Sequence, residues 1–238
     1  MPLPKRRPSQ PIAPPARGVK ASTFKILIDT AMDLIRKDGH IPTVAEVAVR
    51  SSVSRATAYR YFPSRSALIT TVIDASLGPV RSIELQNPDG RARVQELFKL
   101  TLPRFQEFEP QLRAALQLGL EQWALERAGL LEEEPYRRGH RVQILGRATQ
   151  PFVKVLRPAA LARLQMSLSV IYGIETYIVL KDIWGLRQGQ LEKLSLWMAE
   201  AMIDAALRDA GKMASEAKAT ARSIPARPRT PRLVNRGL

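Results

Sequence analysis

Residues 43–62 read TVAEVAVRSSVSRATAYRYF, and the reading of this stretch decides the fold. Thr43-Val-Ala-Glu46 fits a capping box: the threonine hydroxyl accepts from one orphan amide, and a glutamate three residues on closes another. Val44, Val47 and Ala48 then recur at helical spacing and predict a short helix with one apolar face. Ser51-Ser52 interrupts the pattern, Val53 supplies an apolar plug, and Ser54 is a good N-cap for a second short helix. Within that helix the small Ala56 and Ala58 allow close approach to neighbours. Arg55, Thr57, Tyr59, Arg60 and Tyr61 are a poor set for building a core.

Two helices this short are not stable alone and need a third to pack against. It precedes them. Phe24, Leu27, Ile28, Ala31, Leu34 and Ile35 form a helical stripe, and Gly39 is placed to end it in a left-handed conformation. Downstream, Pro63-Ser64-Arg65 ends the polar helix and starts another, with Ala67, Leu68, Val72 and Ile73 as its apolar side. The first compact unit therefore spans residues 21–76: three helices and an exit helix.

Residues 24–72 resemble the N-terminal DNA-binding domain of the TetR family of transcriptional regulators. The matching pieces are the Phe/Leu/Ile stripe with Gly39, then Thr43-Val44, Val47-Ala48, Val53-Ser54, Thr57, Tyr59, Phe62, Ser64-Arg65 and Ala67-Leu68. Ser52 stands where the family most often has a turn glycine, and Ala56 where a second glycine is common. A serine at that turn has to adopt a positive φ. The resemblance implies an all-α homodimer with a helix-turn-helix domain on a helical ligand-binding and dimerisation domain. It further implies repression of transcription at an operator in double-stranded DNA, relieved by a small-molecule inducer.

Groove chemistry then assigns roles. Phosphate contacts fix register, and base-edge contacts choose sequence. Thr43, at a helix N-terminus, and the hydroxyls of Thr57, Tyr59 and Tyr61 suit phosphate oxygens, with Ser54 capping the helix that carries them. Arg65, opening the exit helix, is read as a further phosphate contact. Arg55 lies near the start of the recognition helix and is the residue best placed for a bidentate contact with guanine. Arg60 suits a base or the backbone.

The formal charge of +15 is concentrated at the ends: residues 1–20 carry +5 and residues 211–238 carry +6. Both ends lack apolar periodicity and read as disordered basic segments. Lys5, Arg6, Arg7, Arg17 and Lys20 form an N-terminal arm suited to phosphates or a minor groove beside the recognition helix. Between lies a second domain, residues 77–210, in which no stretch alternates as a strand does. Its expected helices run from Arg91 to Glu109 with a kink at Pro103, Leu112 to Arg127, Arg137 to Leu156, Pro158 to about Trp184, and Gln190 to Ala210. Glu132, Glu133 and Glu134 read as a solvated loop.

Phe105, Phe108, Trp123, Phe152, Met166, Tyr172 and Tyr177 are the aromatic and flexible residues from which an apolar ligand pocket could be built. Glu175, inside VIYGIETYIVL, joins that candidate pocket and needs a partner, with Arg147, an arginine of a second subunit or a cationic ligand the choices. The last two helices carry more apolar surface than one chain can cover. Leu191, Leu194, Met198 and Met202 form a seam that a twofold partner would complete as a four-helix bundle.

Other classes fit less well. With no cysteine, disulfides and thiol catalysis are excluded and a reducing cytoplasm fits. His40 and His140 are far apart, and no phosphate loop or hydrolase signature is present, so no catalytic residue, metal or cofactor is assigned. No segment has the length to cross a bilayer. The competing reading is a ligand-independent DNA-organising or scaffold protein, which would bind most duplexes alike.

Overall fold

The computed structural model describes residues 9–137 and 139–223, without the side chains of residue 79 and residues 212–223. Every regular element among them is helical. α1 (Val19–Asp38) buries the predicted Phe24-to-Ile35 stripe, and Gly39 closes it at φ 70° with its N–H on the Ile35 carbonyl. α2 (Val44–Arg50) opens with the predicted capping box: Thr43 Oγ1 accepts from Glu46 N (3.1 Å), and Glu46 Oε2 accepts from Thr43 N (2.6 Å). Those bonds hold the Glu46 carboxyl below its usual range, with the backbone bond from Thr43 the largest cause. α3 (Arg55–Tyr61) starts at Ser54, whose Oγ accepts from Thr57 N (3.2 Å).

The turn between α2 and α3 is a Schellman cap built on a serine. Val53 N donates to Ala48 O and Ser52 N to Val49 O, the paired bonds that normally require glycine at the left-handed position. Ser52 holds that position at φ 55°. Phe62 ends α3 in the core, its ring 5.3 Å from that of Phe24.

α4 (Arg65–Leu77) leads out of this unit and is buried on nearly all sides. The body follows with α5 (Pro79–Ser82), α6 (Gly90–Glu107), α7 (Glu109–Ala128) and α8 (His140–Ala148). A 3-10 turn (Gln150–Lys154), α9 (Pro158–Ile171), α10 (Ile174–Ile178), a π-helical turn (Val179–Ile183) and α11 (Gln188–Ser223) complete it. α7 is the platform between the two units, packing against both α1 and α4; its buried Gln111 donates from Nε2 to Met32 O of α1 (3.0 Å). α11 lies across α6 and α9. Arg91 of α6 pairs with Glu200 and Asp204 of α11.

Several sequence expectations change. The helix expected from Pro158 to Trp184 breaks at Tyr172-Gly173, and Arg141 Nη1 donates to Ser169 O just before the break (3.0 Å). The helix expected over 137–156 is regular only over His140–Ala148, since Pro151 cannot donate to an α-helical ladder. The last helix passes residue 210 and runs to Ser223, while residues 224–238 lie outside the described residues.

The N-terminal segment is not free along its length. Ser9 N donates to Arg137 O (2.9 Å), Ser9 Oγ accepts from Arg137 N (2.8 Å), and Ile12 N donates to Thr71 Oγ1 of α4 (3.0 Å). Arg17 and Lys20 are exposed at the start of α1, whereas Lys5, Arg6 and Arg7 lie outside the described residues.

Candidate nucleic-acid interface

α3 buries only Ala58 within its span, with Phe62 anchoring its end. Arg55, Ala56 and Arg60 are exposed, and Tyr59 is 45% exposed with its ring outward from the core. Thr57 is half-buried, and its Oγ1 accepts from Ser54 Oγ (2.9 Å). An exposed helix face with two guanidiniums, a phenol and a hydroxyl offers donors to phosphates and base edges and little apolar surface. Thr43 and Ser54 are both spent as caps, so each helix N-terminus is already organised before any ligand arrives.

Two of the expected contact residues are bonded within the chain. Tyr61 points inward: its hydroxyl donates to Lys20 O of α1 (3.1 Å), and its ring sits 6.2 Å edge-on from Phe24. It ties α3 to α1, because Phe62 next to it pulls the chain into the core. Arg65 turns toward the body, where Nη2 pairs with Glu121 Oε1 of α7 (2.6 Å). Its backbone N donates to Glu133 Oε2 (3.0 Å). Glu133 is therefore a helix cap across the domain boundary, not part of a solvated loop. Three glutamates in a row carry no sequence signal for which of them turns inward.

The body holds a mainly apolar, partly open cavity of about 100 Å³ between α4, α6, α7, α8 and the broken helix. Of the expected pocket residues, Phe105 and Tyr172 line it. Tyr172 lies 5.2 Å from the Phe98 ring, shares a 2.8 Å hydrogen bond with Thr101 Oγ1, and is pushed up to about 12 by burial. Trp123 (63% exposed) and Met166 (64% exposed) face away. Phe108 lies under the Arg104 guanidinium, Phe152 packs on Gly90, and Tyr177 bonds Gln188. Glu175 pairs with Arg141, not Arg147, through Arg141 Nη2 at 2.9 and 2.7 Å.

Arg81, Tyr136, His140 and Arg141 form the polar side of that cavity. His140 is held below its usual range, chiefly by burial and also by the charge of Arg81; its ring Nε2 lies 3.0 Å from Ser9 O. None of these residues was singled out for the cavity from sequence. They come from a loop and from helix starts that have no periodicity of their own.

The outer surface of the body carries exposed apolar side chains. α9 presents Met166 and Val170 (69% exposed), α11 presents Trp197 (66% exposed), and the π turn ends at exposed Ile183 and Trp184. α9 and α11 run antiparallel, fixed at one end by Arg163–Asp209 (2.6 Å). Of the expected seam, Leu194, Met198 and Met202 are half-buried and pack against the chain's own core, and Leu191 is buried in it.

A helix-turn-helix unit with a polar, outward second helix on a separate helical body defines a class: regulators of transcription that bind DNA through a recognition helix. The family model for bacterial regulatory proteins of the TetR family matches residues 27–72. Residues 27–72 thus match the DNA-binding domain of that family. Its fold is similar to the crystal structure of a tetR-family transcriptional regulator from Streptomyces coelicolor, with a TM-score of 0.58 at 19% identity, covering 88% of this chain and 92% of that one. That likeness speaks for the fold alone. No curated protein gives a significant match to the chain. No described helix is long and apolar enough to cross a membrane.

Proposed function

We propose that the protein is a homodimeric repressor that occupies a two-fold symmetric operator and leaves it when a small molecule fills the cavity of the body. The observation that carries this reading is α3: a capped helix exposing Arg55, Tyr59 and Arg60 while anchored from behind by Ala58 and Phe62. Arg55 reads a guanine edge, Arg60 a base or the backbone, and Thr43, Thr57 and Tyr59 hold phosphates.

The exposed apolar face of α9 and α11, centred on Met166, Val170 and Trp197, supports pairing with a second copy. Such pairing sets two recognition helices in successive major grooves, roughly 34–36 Å apart for half-sites one turn apart. Residues 21–76 serve as the DNA-binding domain and residues 77–210 as the ligand and dimer domain. A cavity of about 100 Å³ is smaller than the roughly 150 Å³ engineered cavity that holds benzene. An inducer larger than that space extends through the open side or displaces the wall. Release follows because a ligand that binds one domain geometry better shifts the population toward it.

Selection of bound fragments from genomic DNA, followed by titration of operator variants against Arg55→Ala, tests the proposal. A palindromic site whose base preference at one position is lost in Arg55→Ala is the expected result. An equal loss of affinity across all variants removes the base-reading role from Arg55, and indiscriminate binding to all duplexes favours an organising protein instead.

A further inference from the structure

α4 begins with a serine N-cap but lacks the acidic residue three positions on that would complete a capping box, since that position is Ala67. Ser64 Oγ serves Ala67 N (3.0 Å). The first two amides of the helix are served from elsewhere: Glu133 Oε2 accepts from Arg65 N (3.0 Å) and more distantly from Ser66 N (3.5 Å). A carboxylate at that end also meets the positive end of the helix dipole.

Glu133 is itself held. Its Oε1 accepts from Gln122 Nε2 of α7 (2.7 Å), and the same nitrogen donates to Ser66 Oγ (2.8 Å). Gln122 Oε1 in turn accepts from Tyr136 N (2.6 Å), and Gln122 is only 2% exposed. With Gln122 and Ser66 buried and Glu133 half-buried, these bonds favour one arrangement of the cluster over many. Tyr136, Gly139 and His140, a few residues further along the same loop, form part of the cavity wall. One short segment, Glu133 to Arg137 with Gly139 and His140, thus grips the start of α4 at one end and the cavity at the other.

We infer that Glu133 is a positioning residue: it latches the DNA-binding domain to the body in one orientation, and Tyr136, Gly139 and His140 convert occupation of the cavity into release of that latch. This rests on the dimeric, ligand-responsive reading above and names the element that transmits the signal. The loop before α8 thus holds the leading end of α4. Widening the cavity moves Tyr136 and His140 outward, withdraws the Gln122–Glu133 pair, and leaves the α4 amides to water.

The chain has no cysteine, so Lys37→Cys, exposed on the last turn of α1, takes one spin label per protomer. The label-to-label distance across the dimer reads the spacing of the two DNA-binding domains without DNA or ligand. The unaltered Glu133 protein is expected to give one narrow distance distribution, and Glu133→Ala a broadened one with the helical content retained. Ala115→Leu, which fills the cavity from a buried position, shifts the distance when Glu133 is present and adds nothing to Glu133→Ala. If Glu133→Ala does not fold, Glu133→Gln is read against the same expectation. An unchanged distribution in the folded Glu133 variant, or an equal Ala115→Leu shift with and without Glu133, overturns the latch. Absence of any distance between protomers overturns the dimer itself.

Discussion

The turn serine gives the sharpest quantitative prediction. Ser52 sits at φ 55° in the Schellman cap of α2, where its backbone N reaches Val49 O at 3.2 Å and Val53 N reaches Ala48 O at 3.0 Å. Holding an L-residue in the left-handed region costs about 1–2 kcal/mol. Glycine removes that strain but gives back about 0.4–1 kcal/mol through a more flexible unfolded chain. Ser52 is exposed, so no packing is lost, and the two bonds of the cap are backbone only. Ser52→Gly is therefore expected to stabilise the protein by about 0.5–1 kcal/mol, a rise in Tm of about 1–4 °C for a chain of this size. Ser52→Val should move Tm the other way, because a β-branched residue tolerates this φ least. Differential scanning calorimetry of the three proteins decides the matter. Operator affinity should be unchanged in Ser52→Gly, since the angle between α2 and α3 is kept. A Tm that falls on introducing glycine refutes the strained-turn account.

Other substitutions probe packing, electrostatics and assembly. A Cβ on Gly173 would lie 2.5 Å from Glu175 Oε2 and 2.6 Å from Arg141 Nη1, so Gly173→Ala should split that pair and destabilise by about 1–3 kcal/mol, read from thermal melts. Gly90→Ala meets the Phe152 ring at 2.7–3.0 Å and should cost about the same; suppression by Phe152→Leu would confirm the clash as its cause. Burial holds His140 below its ordinary range, so the unfolded chain binds the extra proton more readily. Stability should be full above the unfolded value of about 6.5 and fall as pH drops through it toward the lower folded value. Chemical denaturation across that range should show a flatter acid limb for His140→Gln. Finally, Trp197→Glu places a charge on the exposed α11 face and should shift the protein from dimer to monomer in sedimentation, leaving its helical content unchanged.

The elements with strong local signals were legible in the sequence. Thr43, Glu46 and Ser54 act through neighbours three residues away, so their caps could be read without a tertiary structure, as could the α1 stripe and its Gly39 stop. The polar face of α3 followed from the same local logic. Tyr61 and Arg65 were not legible in this way. Both have side chains capable of reaching DNA, and only the placement of Lys20 and Glu121, distant in sequence, shows where they bond. The break at Tyr172-Gly173 was hidden by apolar periodicity that continues through it. The cavity wall escaped for a related reason: Arg81, Tyr136, His140 and Arg141 converge through tertiary packing, while bulky residues such as Trp123 and Met166 drew attention by size and lie outside. The N-terminal segment shows the same limit, because nothing in a proline-rich stretch announces that Ser9 will bond to Arg137.

The most direct trial is a protection footprint on a fragment recovered from genomic DNA, run with the unaltered protein and with Arg55→Ala. Two protected half-sites related by symmetry, with contacts at matching bases lost in the variant, are what an outward α3 in each of two protomers must leave. Uniform protection along the fragment, or none on any duplex tried, would contradict it.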